Sequence, residues 1–152
     1  MLLSEILTKL SPEDFAALAG RISIGKLKTY QLFDSLKTHA RLSKLNADGL
    51  KKAIPVLRAR VAEGNEELAK DVAQAILLGH LDMVESVLDF LGIPNQGGFF
   101  DKGLDASPYL TEGWQARVYE KFKDSYPPVA VQFYINHLAW ELDKSAGCFQ
   151  PG

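Results

Sequence analysis

Cysteine is almost absent from the 152 residues of this chain. Cys148 is the only one, so the chain alone cannot form a disulfide, and a small fold stapled by disulfides is excluded. A single thiol fits a reducing compartment, and we therefore expect a cytoplasmic protein. The length is that of one domain, which can bury a sizeable core without disulfides or metal.

A long apolar run is also missing. The longest mainly apolar stretch, residues 129–140, is interrupted by Gln132, Asn136 and His137, and it is shorter than the roughly 20 residues that span a bilayer. The start, MLLSEILTKL, carries Glu5 and has neither a basic segment nor a small-residue cleavage site, so we expect no signal peptide. We expect no membrane among the partners of this chain.

Alternation of apolar and polar residues with a period of two is lacking as well, whereas apolar residues recur at helical spacing along the chain. We therefore predict an all-α, single-domain helical bundle of about six to seven helices over residues 1–152. Residues 1–45 are expected to form a peripheral helical subdomain, and residues 145–152 a frayed tail.

Local signals mark several helix boundaries. Ser11, followed by Pro12 and two acids, predicts a helix start. Further helices are predicted over about 24–42 and over 50–62, where Pro55 should introduce a kink or divide the segment into two short helices.

The strongest periodic run is predicted to be one helix over 66–91, capped by Asn65 and ended by Gly92. A long loop over about 92–111 follows, which we expect Phe99 and Phe100 to pin to the core. Two more helices are predicted, one beginning near Trp114 and one over 129–142.

Residues 77–95, LLGHLDMVESVLDFLGIPN, have a Gly-His pair before an apolar helix that ends in Leu-x-x-Gly. This stretch resembles the second helix and outer loop of an ankyrin repeat. An ankyrin array would imply further units at a period of about 33 residues, because one unit cannot bury its apolar face alone. The positions one period either side, Asn46 and Glu112, lack the Gly-His pair, and the sequence therefore does not indicate a repeat protein.

Charge is distributed unevenly, although the net charge is only −2. Residues 20–62 hold ten Lys and Arg against two Asp, net +8, whereas residues 63–152 have a net charge of −8. The two segments can complement each other across the fold or across a homodimer. Alternatively, the basic segment binds nucleic acid or another polyanion, although the low isoelectric point disfavours nucleic acid. The candidate anion contacts are Lys26, Lys28, Lys37, Arg41, Lys44, Lys51, Lys52, Arg58 and Arg60.

A small-molecule or metal site is a second hypothesis, placed between the predicted helices 66–91 and 129–142. His137 and Glu141 lie four residues apart and share a helix face, and His80 and Asn136 are polar residues beside apolar stripes. The chain lacks any known zinc motif, however, and the same residues are also explained as core-edge side chains satisfied by their neighbours. We expect no cofactor.

The remaining candidates are aromatic residues in or beside the long loop, namely Phe99, Phe100, Tyr109, Trp114 and Trp140. No Ser, Thr or Cys lies in a recognisable nucleophile motif. The sequence therefore favours a helical interaction or regulatory module without catalytic activity of its own. Its contact surface would combine the basic segment with the aromatic loop, and its partner would be another protein or a second copy.

Overall fold

The computed structural model describes residues 2–22, 47–101, 103–143 and 147–151, and of residues 47–51 and 53 the backbone only. Seven helices occur in these residues: α1 (Leu3–Thr8), α2 (Pro12–Ala19), α3 (Ala47–Ala62), α4 (Glu66–Leu78), α5 (Leu81–Leu91), α6 (Trp114–Phe122) and α7 (Pro128–Leu142). The described residues contain no β-strand beyond one isolated antiparallel bridge. The prediction of an all-α fold with about six to seven helices and a long loop over about 92–111 is confirmed.

Helix ends follow the local cap chemistry. The Ser11 hydroxyl accepts a hydrogen bond from the Asp14 amide (3.1 Å) at the start of α2, and the Asn65 side chain accepts one from the Leu68 amide (3.0 Å) at the start of α4. Gly92 ends α5 in the left-handed region, with φ of 81°. These ends lie where the sequence predicts them.

Two predicted helices between residues 24 and 62 have different outcomes. The helix expected over about 24–42 lies outside the described residues. The segment around Pro55 is one helix, α3, which continues through the proline rather than dividing there. Pro55 lies on the exposed face of α3. Its ring is therefore away from the buried face, which includes Leu57 and Val61.

The prediction of one helix over 66–91 is wrong. The run is divided into α4 and α5, with Gly79 and His80 between them, and His80 (φ −132°) is the residue that precedes α5. A β-carbon on Gly79 would lie only 2.2 Å from the Arg21 carbonyl oxygen, so a distant backbone occupies the space beside this position. The apolar periodicity continues across the break and therefore does not reveal it.

The chain divides into two compact units. In the first unit (residues 2–79), α1 and α2 both pack against α3 and α4, which also contact each other. In the second unit (residues 80–152), α6 packs against both α5 and α7. Within the described part of the chain, no helix combines the length and the apolar composition that crossing a bilayer requires.

Helix α7 differs from the others because most of its sides are buried. Every residue from Phe133 to Ala139 is buried, including Asn136 and His137. A buried helix lacks the single apolar stripe of a surface helix, which agrees with the mainly apolar sequence of this segment. Asn136 and His137 are therefore enclosed, and buried polar groups of this kind need partners.

Candidate functional site

The long loop begins with a tight two-residue turn. The Gln96 amide donates to the Phe99 carbonyl (2.8 Å), and the Phe99 amide donates to the Gln96 carbonyl (3.2 Å). Gly97 and Gly98 between them have φ of 61° and 96°, which is the left-handed conformation that both central residues of a type I′ turn require. The turn thus needs positive φ at both central residues, which glycine adopts without strain.

Side chains around the turn hold it in one conformation. The Asn95 side chain accepts from the Gly98 amide (3.1 Å) and donates to the Asp89 carboxylate (2.9 Å) and the Ile93 carbonyl (3.0 Å). Gly98 is buried, and a β-carbon there would lie 3.2 Å from a Val84 methyl group. The turn is therefore bonded to α5 through Asn95 and is closed by the hydrogen bonds between Gln96 and Phe99.

Phe99 is not the buried anchor that we expected. Its side chain remains 36% exposed, and Phe100 is half-buried. Two other apolar side chains of the loop, Ile93 and Ala106, are buried and anchor it instead.

An open groove of about 550 Å³ borders the turn. Its lining is Pro94, Asn95, Gln96, Phe99, Phe100 and Asp101. Two aromatic side chains, a proline and two neutral carboxamides make most of this surface, and a single carboxylate is the one charged group among them. An open groove of this composition suits an apolar or neutral polypeptide better than a small charged molecule.

The other aromatic candidates lie elsewhere and do not line this groove. Tyr109 is half-buried, and its ring lies 3.7 Å from the position that a β-carbon on Gly92 would take, so it closes the base of the loop. Trp114 is only 3% exposed, and its indole N–H donates to the Asp143 carboxylate (3.2 Å). Trp140 is half-buried in α7.

His137 lies among aromatic rings. The centroid distances from its imidazole are 5.5 Å to Trp140, 6.2 Å to Phe133 and 6.4 Å to Tyr134. Its Nδ1 lies 3.6 Å from the Glu141 carboxylate, too far for a hydrogen bond. Burial, which disfavours the charged imidazolium, lowers the pKa of His137 to about 4.

The predicted pairing of His137 with Glu141 is thus present, but as a neutral imidazole beside a carboxylate. The neighbouring Tyr134 hydroxyl is buried, and burial raises its pKa above the ordinary value. His80, the third candidate, is buried at the start of α5. In the ranges that the structure describes, no three His, Cys, Asp or Glu side chains come together in a way that would hold a metal ion.

Asn136 has a different environment from its neighbour His137. It is 3% exposed, and both ends of its carboxamide bond to the backbone of one residue, Phe149. The Phe149 amide donates to Oδ1 (2.6 Å), and Nδ2 donates to the Phe149 carbonyl (3.1 Å). Phe149 is thereby held within the tail for which the sequence predicts fraying, and Asn136 and His137 do not serve one common site.

The structure describes part of the basic segment. Lys26, Lys28, Lys37, Arg41 and Lys44 lie outside the described residues, and of Lys51 only the backbone is described. Lys52 and Arg60 are exposed on α3. Arg58 is half-buried and donates to the Leu10 carbonyl (3.1 Å), so this guanidinium has a structural contact.

Two further polar residues, which the sequence did not single out, have a defined place in the first unit. Glu66 accepts hydrogen bonds from the Leu3 and Ser4 amides at the start of α1. Asp71 is buried in α4. A signal for Asp71 does exist, because it lies three residues after Leu68 and so falls within the apolar stripe of that helix. Glu66 gave no such signal, since its partners are distant in the chain.

Comparison with known proteins gives no match: no family model, no curated protein and no solved structure is similar to this chain.

Proposed function

We propose that the chain is a helical interaction module without catalytic activity of its own, and that residues 94–101 form its contact surface. The observation that supports this most is the two-glycine turn between Gln96 and Phe99, which presents an aromatic side chain at the rim of an open groove.

A fixed turn is well suited to recognition. Ordering a flexible loop on binding consumes part of the interaction free energy, whereas a loop already held in one conformation does not. The contacts of Asn95 and the burial of Gly98 supply that order in advance. Aromatic side chains at such a surface contribute large apolar contact areas at a small entropy cost.

The partner is proposed to be another protein or a second copy of this chain. The groove contributes only one carboxylate, Asp101, so charge is not its main means of recognition. Elsewhere the opposite net charges of residues 20–62 and 63–152 would favour association between copies. With one cysteine, the chain suits a reducing environment, and we propose that the module acts in the cytoplasm.

Site-specific crosslinking would test the proposal. A photoreactive amino acid is placed at the exposed Gln96 of the full chain, and crosslinked proteins from the native cells are identified after irradiation. We expect one reproducible partner, or the chain itself, and we expect the double variant Phe99→Ser, Phe100→Ser to lose most of that product because it loses the aromatic contact.

The matched control is Val56→Ser, which removes a 54% exposed apolar side chain from α3 in the first unit. Its crosslinking yield should equal that of the wild type. Crosslinks that persist in the Phe99 and Phe100 double variant, or that fall equally in the control, would refute the assignment of this surface.

A further inference from the structure

The second unit holds a short non-helical segment of its own chain against two of its helices. Residues 147–151 lie against α6 and α7 and have no helical structure. Carboxamide side chains from both helices form hydrogen bonds with the backbone of this segment. Gln115 of α6 donates to the Gly147 carbonyl (3.3 Å), and Gln132 of α7 approaches the Phe149 carbonyl at 3.4 Å.

Asn136 makes the most specific of these contacts. Its carboxamide bonds to both the N–H and the C=O of Phe149, as a neighbouring strand would in a β-bridge. A carboxamide used in this way recognises a backbone in one register, whatever the side chains are. A buried Asn within a helix is costly unless it is fully hydrogen-bonded, so this residue at this position indicates that the site requires a peptide backbone.

One side chain of the segment is also recognised. The Phe149 ring lies 5.6 Å from the Tyr119 ring of α6, at an interplanar angle of 52°. Phe149 is half-buried, and Gln150 and Pro151 are exposed, so the segment lies on the surface rather than in the core. Its described residues carry no charged side chain.

The surface continues beyond the segment. An open groove of about 480 Å³ is lined by Phe149, Gln150 and Pro151 on one side and by α6 on the other. The α6 residues are Ala116, Tyr119, Glu120 and Lys123. A ligand with larger side chains after the aromatic residue therefore has space that the resident segment leaves open.

We propose that this face of α6 and α7 is a peptide-docking site, occupied by residues 147–151 and able to take an equivalent segment of a partner protein in their place. The ligand class is an extended, uncharged peptide with one aromatic residue, recognised through its backbone by Asn136. The site is separate from the groove at residues 94–101, so it does not depend on the proposed contact surface there.

Cutting the chain between Asp143 and Gly147 tests whether the segment is a ligand. A protease site is inserted there in the full-length protein, which is cleaved after purification and dialysed. We expect the released piece to leave the site while the helical circular dichroism of the remainder stays unchanged. Loss of the helical signal on its removal would overturn the proposal, because the segment would then be part of the fold.

Rebinding of a synthetic peptide tests specificity. A labelled peptide with the sequence of residues 147–151, with Cys148→Ser to prevent oxidation, is titrated into the cut and dialysed protein. We expect saturable binding, which Phe149→Ala in the peptide weakens by about tenfold through loss of the aromatic contact. N-methylation of the Phe149 amide should weaken it by about tenfold or more, because the donor to Asn136 is removed without any change to the protein.

Two protein variants complete the test. Asn136→Ala should weaken peptide binding at least as much as N-methylation, whereas Gln96→Ala, a carboxamide deletion in the other groove, should leave it unchanged. With both termini of the peptide capped, affinity should change by less than about twofold between low and high salt, because the peptide then carries no charged group. Equal affinity for the normal and N-methylated peptides, or absence of saturable binding, would show that Asn136 does not bind a peptide backbone.

Discussion

The carboxylate of Glu66 binds the start of helix α1. Its Oε1 accepts a hydrogen bond from the Leu3 amide (2.6 Å) and its Oε2 one from the Ser4 amide (2.9 Å). Glu66 is itself in the first turn of α4, so one side chain joins the beginnings of two helices in the first unit. Amides at a helix start have no partner within the helix, and a carboxylate there satisfies them and opposes the helix dipole.

Glu66→Gln should lower the free energy of unfolding by about 1 kcal/mol at neutral pH, since one charge-assisted contact is lost and solvent screening limits the effect. Burial tends to raise the pKa of Glu66, but the hydrogen bonds from Ser4 and Leu3 outweigh it, and the pKa is lowered overall. The folded protein therefore holds this proton less tightly than the unfolded chain, so the stabilisation is present above the unfolded pKa and is lost as pH falls through the folded pKa.

Urea unfolding of wild type and variant from neutral to acid pH measures this. The difference between them should vanish in acid, when the wild-type carboxylate is protonated. Glu67→Gln, an exposed neighbour in the same helical turn, is the control and should cost much less. A constant difference at every pH would mean that the charge of Glu66 does not act on α1.

Local cap chemistry explains which parts of the fold the sequence predicts. Ser11, Asn65 and Gly92 each cap a helix that begins or ends next to them in the sequence. Their capping roles therefore follow from residues close along the chain. Gly79, at the break, lies against the backbone of Arg21, far away in the chain, and apolar periodicity carries no information about this approach. For that reason one long helix was predicted where there are two.

The contacts of the candidate site residues were likewise predictable only where both partners lie in the same helix. The contact between His137 and Glu141 follows from their spacing along one helix, and it is present at 3.6 Å. The partner of Asn136 is Phe149, beyond the end of the helix, which no periodicity indicates. Phe99 follows a glycine turn and is 36% exposed, whereas its aromatic character alone favours burial.

His137 should make the protein less stable in mild acid. Its pKa is lowered by burial to about 4, below that of a histidine in an unfolded chain. Between these two values the unfolded chain binds a proton that the folded protein does not, so stability falls as pH decreases from about 6.5 to about 4, by roughly 1.4 kcal/mol per unit at most.

His137→Phe should remove this dependence, because a phenyl ring fits an aromatic environment and carries no proton. Stability at about pH 5 should then exceed that of the wild type. Two-dimensional NMR of the wild-type imidazole should show a titration near pH 4. A midpoint close to that of a free histidine, or an unchanged pH profile in the variant, would contradict the assignment.

The turn at residues 96–99 should discriminate sharply between its two glycines. Both have positive φ, but a β-carbon on Gly98 would lie 3.2 Å from Val84, whereas nothing lies within 4 Å of one on Gly97. Gly97→Asn should therefore change stability by less than about 0.5 kcal/mol, since Asn tolerates this conformation. Gly98→Ala should cost about 1–2 kcal/mol through backbone strain and crowding. Thermal unfolding of both variants measures the difference, and equal losses would contradict the described turn.

Gly79→Ala should be among the most destabilising single changes in the first unit. Gly79 has φ of −76°, so the backbone itself would accept alanine, and the better helix propensity of alanine predicts a gain in stability at this helix end. The added β-carbon would, however, lie 2.2 Å from the Arg21 carbonyl oxygen and 3.0 Å from its carbon. Backbone atoms cannot move aside as a flexible side chain can, so we expect a loss of about 2–4 kcal/mol.

The control for Gly79→Ala is Gly64→Ala. At Gly64 the backbone conformation is strained for alanine but the space is open, whereas at Gly79 the conformation is ordinary but the space is occupied. Gly64 has φ of 88°, which strains alanine, but nothing lies within 4 Å of the added carbon. That variant should lose only about 1 kcal/mol through the left-handed backbone alone. Chemical unfolding at one pH ranks the two. If Gly79→Ala is neutral or stabilising, the close approach of the Arg21 backbone is wrong, and glycine is not required at the end of α4.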